Sequence, residues 1–126
     1  MILLVDDNTE LLTSLSEFFS AYYPVKALTN PEDALAFATA NRGLIEVSVV
    51  DYVMPEMSGD ALARELKEVD PNMLVILMSG YVDFERVEPL LRERLIYQFF
   101  TKPIDFDRLM RSVDTAVKLY LKKQAL

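Results

Sequence analysis

The sequence predicts an α/β domain in which a single doubly wound sheet of five parallel strands carries helices on both faces. Five short apolar runs alternate with five longer segments of helical periodicity, which is the pattern of repeated strand–helix units. The first, third and fourth runs are almost entirely apolar, as strands buried on both faces are. A chain of 126 residues has room for one full core, so we expect one domain over residues 1–126.

The first two strand–helix units have clear start and stop signals. Residues 2–5 form a predicted buried strand, and Asn8 or Thr9 can cap the helix that follows. The wide apolar stripe of that helix consists of Leu11, Leu12, Leu15, Phe18, Phe19 and Tyr22. Residues 25–29 carry Lys26, which favours an edge strand. The second helix begins at Asn30-Pro31, where a capping side chain precedes a proline in the first turn.

The remaining units follow the same plan with one irregularity. Residues 47–50 and 73–78 are predicted buried strands, and residues 96–100, which carry Gln98, are predicted to form the other edge. Asp105 is placed to cap the last helix. Pro89 lies where the interior of the fourth helix is expected, so that helix either starts late with Pro89 in its first turn or is kinked.

Right-handed crossovers favour the flavodoxin-like strand order 2-1-3-4-5, in which the first and third strands are neighbours at the switch point. Asp6 and Asp7 follow the first strand and Asp51 follows the third, so we expect three carboxylates in one crevice. Without compensation their repulsion would raise the pKa of one of them. An all-oxygen ligand set of this kind suits Mg²⁺, with Mn²⁺ as a substitute.

The fourth and fifth strands add a hydroxyl and an ammonium group to the same edge of the sheet. These groups belong to Ser79 and Lys102. A nucleophilic carboxylate, a metal that neutralises charge and two groups for phosphoryl oxygens together suit the transfer of a phosphoryl group to a carboxylate. The interpretation rests on the combination, because each of these residues alone has an ordinary structural explanation as a cap, a turn or a surface lysine.

Composition excludes several other classes of site. The net charge of −7 argues against direct binding of nucleic acid or an anionic membrane surface. The absence of cysteine and histidine excludes thiolate and imidazole metal sites, His-based triads and a phosphohistidine on this chain. No apolar run has the length of a membrane span, and we expect a cytoplasmic location.

Short motifs at the strand ends resemble, in order and along the whole chain, the signature of response-regulator receiver domains, the CheY-like domains of two-component and phosphorelay signalling. The matching residues are Asp6-Asp7, Asp51, Met54-Pro55, Met57, Gly59, Ser79-Gly80, Phe99 and Lys102-Pro103.

The resemblance implies a role for each matching position. It makes Asp51 the phosphoacceptor, and it makes Asp6, Asp7, Asp51 and the backbone carbonyl of Val53 the metal ligands. The groups that it assigns to the phosphoryl oxygens are Ser79, Lys102 and the backbone amides of Tyr52 and Gly80. It further implies that Ser79 and Phe99 switch conformation, which changes the surface of the fourth helix, fifth strand and fifth helix, and that the bond before Pro103 is cis.

The leading hypothesis is a phosphorylation-controlled switch and not an enzyme acting on an external substrate. A sensor histidine kinase or phosphotransfer protein would donate the phosphoryl group, and an output domain, or a second copy in a homodimer, would detect the switched surface. Hydrophobic Val53 and bulky Tyr81 flank the expected path of water, which predicts slow dephosphorylation. The alternative is an unphosphorylated docking or dimerisation module with the same fold.

Two further hypotheses are disfavoured by particular residues. A magnesium-dependent phosphatase with an aspartyl-phosphate intermediate usually carries a second acid two residues after its nucleophile, where this chain has Val53. A flavodoxin-type FMN site needs hydrogen-bond donors after the first strand, where this chain has acids.

Overall fold

The computed structural model describes residues 1–81 and 83–125, and over these residues strands and helices alternate as predicted. The strands are β1 (Ile2–Val5), β2 (Val25–Leu28), β3 (Val47–Asp51), β4 (Leu74–Ser79) and β5 (Gln98–Thr101). The helices are α1 (Thr9–Ser20), α2 (Pro31–Ala40), α3 (Gly59–Val69), α4 (Phe84–Arg92) and α5 (Phe106–Gln124).

The strands form one parallel sheet in the order β2-β1-β3-β4-β5, which confirms the predicted fold class. The pairing register aligns Val5 with Val50, Asp51 with Met78, and Ser79 with Thr101. The carboxyl ends of β1, β3, β4 and β5 therefore meet at one edge of the sheet. The residues that follow these ends are brought together by the sheet itself.

Each face of the sheet is covered by its own group of helices. On one face α2, α3 and α4 pack around a core that includes Leu3, Val5 and Leu66. On the other face α1 and α5 pack around a second core that includes Ile2 and Leu4. Side chains of β1 point alternately to the two cores, so the strand is buried on both faces. Burial on both faces also explains why β1, β3 and β4 are largely apolar without alternation.

Three predicted helix starts are confirmed by side-chain capping bonds. The side chain of Asn8 accepts a hydrogen bond from the backbone N–H of Leu11, which makes Asn8 rather than Thr9 the cap of α1. Asn30 and Asp105 cap α2 and α5 in the same way. Each of these bonds satisfies a backbone donor in the first turn, which has no partner within the helix.

One expectation for the helices is wrong, and of the two alternatives for Pro89 the late helix start is excluded, since Pro89 lies inside α4. Tyr22 does not belong to the buried stripe, because α1 already ends at Ser20 and the Tyr22 side chain is 69% exposed. Pro89 does not lie in the first turn of α4, which starts at Phe84 after the capping residue Asp83. Burial of Val87 and Leu90 against the core holds this helix in place although Pro89 lacks a backbone donor. Among the helices of the described residues, none has the length and apolar character needed to cross a membrane.

Candidate functional site

The candidate site is a cluster of three carboxylates at the ends of two neighbouring strands. Asp51 is the last residue of β3 and is only 5% exposed, while Asp6 and Asp7 follow β1. Asp6 is fully buried and Asp7 is exposed. One carboxylate oxygen of each residue lies within 4.8 Å of the other two, a spacing that suits shared coordination of one metal ion. The structure thus brings together the three acids that the strand order predicts to converge.

Lys102 links the two buried acids of the cluster. Its ammonium nitrogen lies 3.0 Å from Asp6 Oδ2 and 3.4 Å from Asp51 Oδ1. The backbone N–H of Lys102 donates to the carbonyl of Ser79 at 2.8 Å, which anchors the lysine at the end of β5. The peptide bond between Lys102 and Pro103 is cis. The pairing of Lys102 with Asp6 was not foreseen from the sequence, which assigned the lysine only to a phosphoryl group.

The negative charge of Asp51 is only partly compensated by its neighbours in the structure. Burial, and to a smaller extent the neighbouring Asp6 carboxylate, raises the pKa of Asp51 to about 6. Lys102 and a hydrogen bond from the backbone of Val53 act in the opposite direction but do not cancel the rise. Repulsion among the carboxylates was the expected cause of a raised pKa, whereas in the structure burial is the larger cause. A cation bound among the three carboxylates would offset both causes, because its charge stabilises the ionised form of Asp51.

The pKa of Lys102 is decided by its neighbouring carboxylates and not by its burial. Burial by itself lowers the pKa of its ammonium group, but the hydrogen bond and charge of Asp6, together with Asp51, outweigh burial and raise it. Lys102 therefore stays charged at neutral pH and remains a fixed cation beside Asp51.

Ser79 lies at the end of β4, where a small cavity opens next to Tyr52 and Val53, the two residues that follow Asp51. The Ser79 side chain is buried, and its hydroxyl oxygen accepts a hydrogen bond from the Tyr81 backbone N–H at 3.1 Å. The cavity encloses about 80 Å³, and its lining includes Ser79, Val53 and Tyr81. Val53 and Tyr81 are each more than two thirds exposed, so they stand at the mouth of the cavity. Gly80 is exposed, and a Cβ added there would meet no other atom within 4 Å.

The backbone amide of Tyr52 has a different partner from the predicted one. The resemblance assigns this N–H to a phosphoryl oxygen, whereas in the structure it donates to the Met78 carbonyl at 2.7 Å. The cause is that β3 and β4 keep their parallel pairing one residue beyond Asp51. A contact between the Tyr52 amide and a phosphoryl group would require this hydrogen bond to break.

Gly59, which the sequence placed only within a motif, has a definite steric role at the site. A Cβ at this position would lie 2.5 Å from the Asp51 carbonyl oxygen and 2.8 Å from the Tyr52 Cα, both of which are backbone atoms. The Gly59 N–H donates to the Tyr52 carbonyl at 2.7 Å. Glycine therefore lets the start of α3 pack directly beneath the segment that carries Asp51.

Two residues near the site were missed in the sequence. Arg86 and Asp83, at the start of α4, line the cavity together with Ser79, and neither residue was assigned to the site from the sequence. Asp83 could have been recognised as the capping residue of α4, because its side chain accepts a hydrogen bond from the Glu85 backbone N–H. Phe99, the predicted switch residue, is partly buried and packs against the core beneath α2, α3 and α4.

Comparison with known proteins gives a consistent match over nearly the whole chain. Residues 2–114 match the family model described as the response regulator receiver domain. The hydrogenase transcriptional regulatory protein HoxA of Bradyrhizobium diazoefficiens is 30% identical over 119 residues, which are 94% of this chain and 24% of that protein. The sensor kinase CckA of Brucella abortus is 30% identical over 126 residues, which are 98% of this chain and 13% of that protein.

A solved structure agrees with these sequence relatives. The crystal structure of a response regulator receiver domain protein from Clostridium thermocellum superposes with a TM-score of 0.89 at 25% identity, covering 99% of this chain and 98% of that one. The chain thus spans nearly all of a separate receiver domain but only about a quarter of the length of a curated regulator such as HoxA.

Proposed function

Because the chain belongs to the response regulator receiver family, we propose that it accepts a phosphoryl group on Asp51 and thereby controls an output domain or a partner protein. The observation that carries this proposal is the buried Asp51 carboxylate, held between the acids that follow β1 and the ammonium group of Lys102. We treat residues 1–126 as one receiver domain of a longer or separate regulator.

The chemistry assigned to Asp51 is a single displacement at phosphorus. One carboxylate oxygen forms the new P–O bond while the P–N bond of a donor phosphohistidine breaks, and the donor imidazole leaves with the electron pair. The product is an acyl phosphate on this chain, and water later regenerates the carboxylate and inorganic phosphate. The domain therefore promotes its own modification and hydrolysis, which is not the turnover of an external substrate.

The donor set fits Mg²⁺ as the metal of this site. Its three carboxylates are hard oxygen ligands with an excess of negative charge, and that combination suits Mg²⁺, with Mn²⁺ as a substitute. Asp6, Asp7, Asp51 and the backbone carbonyl of Val53 would hold the ion. When bound, Mg²⁺ would neutralise both the carboxylates and the oxygens of the incoming phosphoryl group.

The other site groups receive the phosphoryl oxygens in this proposal. Lys102 keeps its contact with Asp6 and offers a remaining donor, and Ser79 turns its hydroxyl away from the Tyr81 amide. The Gly80 amide, and the Tyr52 amide once released from Met78, complete the set. Movement of Ser79 then lets Phe99 change its packing, which alters the surface formed by α4, β5 and α5 and adjusts homodimer or output contacts.

A sensor histidine kinase or a phosphotransfer protein is the proposed donor. This chain has no histidine, so the phosphohistidine must belong to another polypeptide or to a further domain. The match to a protein named as a sensor kinase supports a partner of this class.

The first experiment measures the intact mass after incubation with acetyl phosphate, with and without Mg²⁺. We expect one phosphoryl adduct that requires Mg²⁺ and is absent from Asp51→Ala. The matched control is Asp107→Ala, which removes an exposed aspartate on α5 and should retain the adduct. A folded wild-type protein without an adduct would support the unphosphorylated docking module instead.

A further inference from the structure

A second groove lies at the opposite edge of the sheet from the acid cluster. It is formed where the end of α3, the start of β4, the end of α4 and the last turns of α5 meet. Its volume is about 370 Å³, which is within the range of clefts that bind ligands. Nothing in the proposed phosphorylation chemistry uses this groove.

The charge of the groove is opposite to the charge of the chain. Lys67, Arg94 and Lys123 line it, and no acidic side chain does so among residues 1–81 and 83–125. The chain as a whole carries a net charge of −7. Three cations gathered in one cleft of an acidic protein therefore form a local site of positive potential.

Lys67 is held in a fixed position with one donor to spare. Its ammonium nitrogen donates to the carbonyls of Pro71 at 2.8 Å and Met73 at 2.9 Å. An ammonium group has three donors, so one remains for an acceptor within the groove. Burial lowers the pKa of Lys67, and the positive charge of Lys123 lowers it further, while Asp70 acts in the opposite direction. The two ammonium groups thus repel each other, and an anion placed between them would relieve that repulsion.

The remaining walls of the groove are apolar. Leu74 and Ile96 are buried at its floor, while Leu91 and Leu119 are each more than a third exposed at its rim. The apolar floor therefore continues onto the outer surfaces of α4 and α5. A compact small acid would leave these two leucines uncovered, whereas an extended peptide with apolar side chains would cover them.

We propose that this groove docks an acidic, apolar peptide segment of a partner protein. A carboxylate of the segment binds Lys67 and Lys123, and the flanking apolar side chains pack on Leu91 and Leu119. The support is charge complementarity together with the continuity of the apolar floor onto the rim. The groove lies partly on α4 and α5, whose surface the proposed switch alters, but docking itself does not require the phosphoryl group. Its test therefore uses the unphosphorylated protein.

The test measures fluorescence polarisation of a short labelled peptide of alternating Leu and Asp as the protein is titrated. We expect saturable binding that weakens about tenfold when every Asp of the peptide is replaced by Asn, since a paired charge-assisted hydrogen bond is lost. Lys123→Gln should weaken binding about fivefold without disturbing the fold, because the Lys123 side chain makes no hydrogen bond within residues 1–81 and 83–125. Lys67→Gln should also weaken it, and Lys67→Arg should restore most of the affinity.

The matched control is Lys118→Gln, which removes an exposed cation of α5 outside the groove and should leave the affinity unchanged. Amide chemical shifts of ¹⁵N-labelled protein should move at Leu91, Arg94 and Leu119. Equal binding of the Asn peptide, an equal loss in Lys118→Gln, or shifts elsewhere would overturn the proposal. Binding of 4-phenylbutyrate, a compact apolar acid, as tightly as the peptide would also contradict the proposal. So would self-association of the protein through this groove that Lys123→Gln abolished.

Discussion

Two buried aspartates at opposite ends of the sheet have nearly the same exposure and quite different surroundings. Asp51 is 5% exposed and Asp70 is 6% exposed. Asp70, at the end of α3, accepts hydrogen bonds from the Tyr120 hydroxyl at 2.8 Å and from the Asn72 backbone N–H at 3.0 Å. Asp51 instead faces two other carboxylates and an ammonium group that is closer to Asp6 than to Asp51.

The difference shows that the neighbours of a buried carboxylate, and not its burial, decide whether it is structural or reactive. Each carboxylate oxygen of Asp70 accepts a hydrogen bond from a different donor. Burial, together with the hydrogen bond to Asp70, raises the pKa of the Tyr120 hydroxyl to about 12, so this hydroxyl remains a donor. At Asp51 the pKa rises to about 6, so its charge is poorly compensated until a cation or a phosphoryl group arrives. The carboxylate of Asp70 therefore has its hydrogen-bond donors within the fold, whereas the charge of Asp51 is compensated by what it binds.

The largest effect is expected for Asp70→Ala. The change leaves the buried Tyr120 hydroxyl without its acceptor, which should lower the free energy of unfolding by about 2–3 kcal/mol. Urea denaturation monitored by circular dichroism measures this loss. Tyr120→Phe, which removes the donor but leaves the Asn72 bond to Asp70, should lose only about 1 kcal/mol. If Asp70→Ala were as stable as wild type, the structural role of Asp70 would be refuted.

Asp51→Asn should increase the stability of the metal-free protein, whereas Asp70→Ala decreases it. The pKa of Asp51 is about 6 in the folded state against 3.8 for the free side chain, so the folded protein binds more protons between these values. The stability of wild type therefore falls as pH rises from about 4 to 6, by at most about 3 kcal/mol, and Asn avoids this loss. Thermal unfolding in EDTA should give Asp51→Asn a higher melting temperature relative to wild type at pH 8 than at pH 4.

Asp7→Asn is the control for this result, because Asp7 is exposed and its replacement should alter the pH dependence much less. Parallel pH profiles of wild type and Asp51→Asn would contradict the assigned electrostatics.

Addition of Mg²⁺ should stabilise the folded protein through the carboxylate cluster around Asp51 and not through Asp70. At a tenfold excess over its Kd the ion should stabilise wild type by about 1.4 kcal/mol, because it binds only the folded site. Asp70→Ala should gain the same increment, and Asp51→Asn should gain less because one ligand has lost its charge. Differential scanning fluorimetry across a Mg²⁺ titration provides the measurement. An equal gain in Asp51→Asn and wild type would remove Asp51 from the metal site.

The smallest effect concerns access of water to the phosphorylated site. Val53 and Tyr81 stand at the mouth of the cavity beside Ser79, and replacing Val53 by Asn introduces a polar group that can orient an attacking water. We expect Val53→Asn to lose its phosphoryl group about threefold faster, a change of about 0.7 kcal/mol in the barrier. Loss of the adduct after removal of the donor can be followed by mass spectrometry. A shorter phosphoryl lifetime in wild type than in Val53→Asn would contradict the shielding role of Val53.

Local signals in the sequence predicted most of the fold and the membership of the acid cluster. The capping residues Asn8, Asn30 and Asp105 were correct, because a cap needs only a partner two or three residues away. The strand order followed from the handedness of the crossovers, and it brought Asp6 and Asp51 together without knowledge of any contact. The assignment of Tyr22 to the buried stripe of α1 was wrong, and the late start considered for α4 is excluded, since helix ends depend on packing as well as propensity.

The sequence by itself determined the order of elements, the caps and which strand ends carry acids, since each depends on neighbouring residues or on the chirality of the chain. Only the tertiary structure decided that Lys102 pairs first with Asp6, that the Tyr52 amide belongs to the sheet, and that burial is the main cause of the raised pKa of Asp51. The cationic groove likewise joins Lys67 to Lys123 across many intervening residues. Such contacts depend on distances between segments far apart in the chain, and packing alone sets those distances.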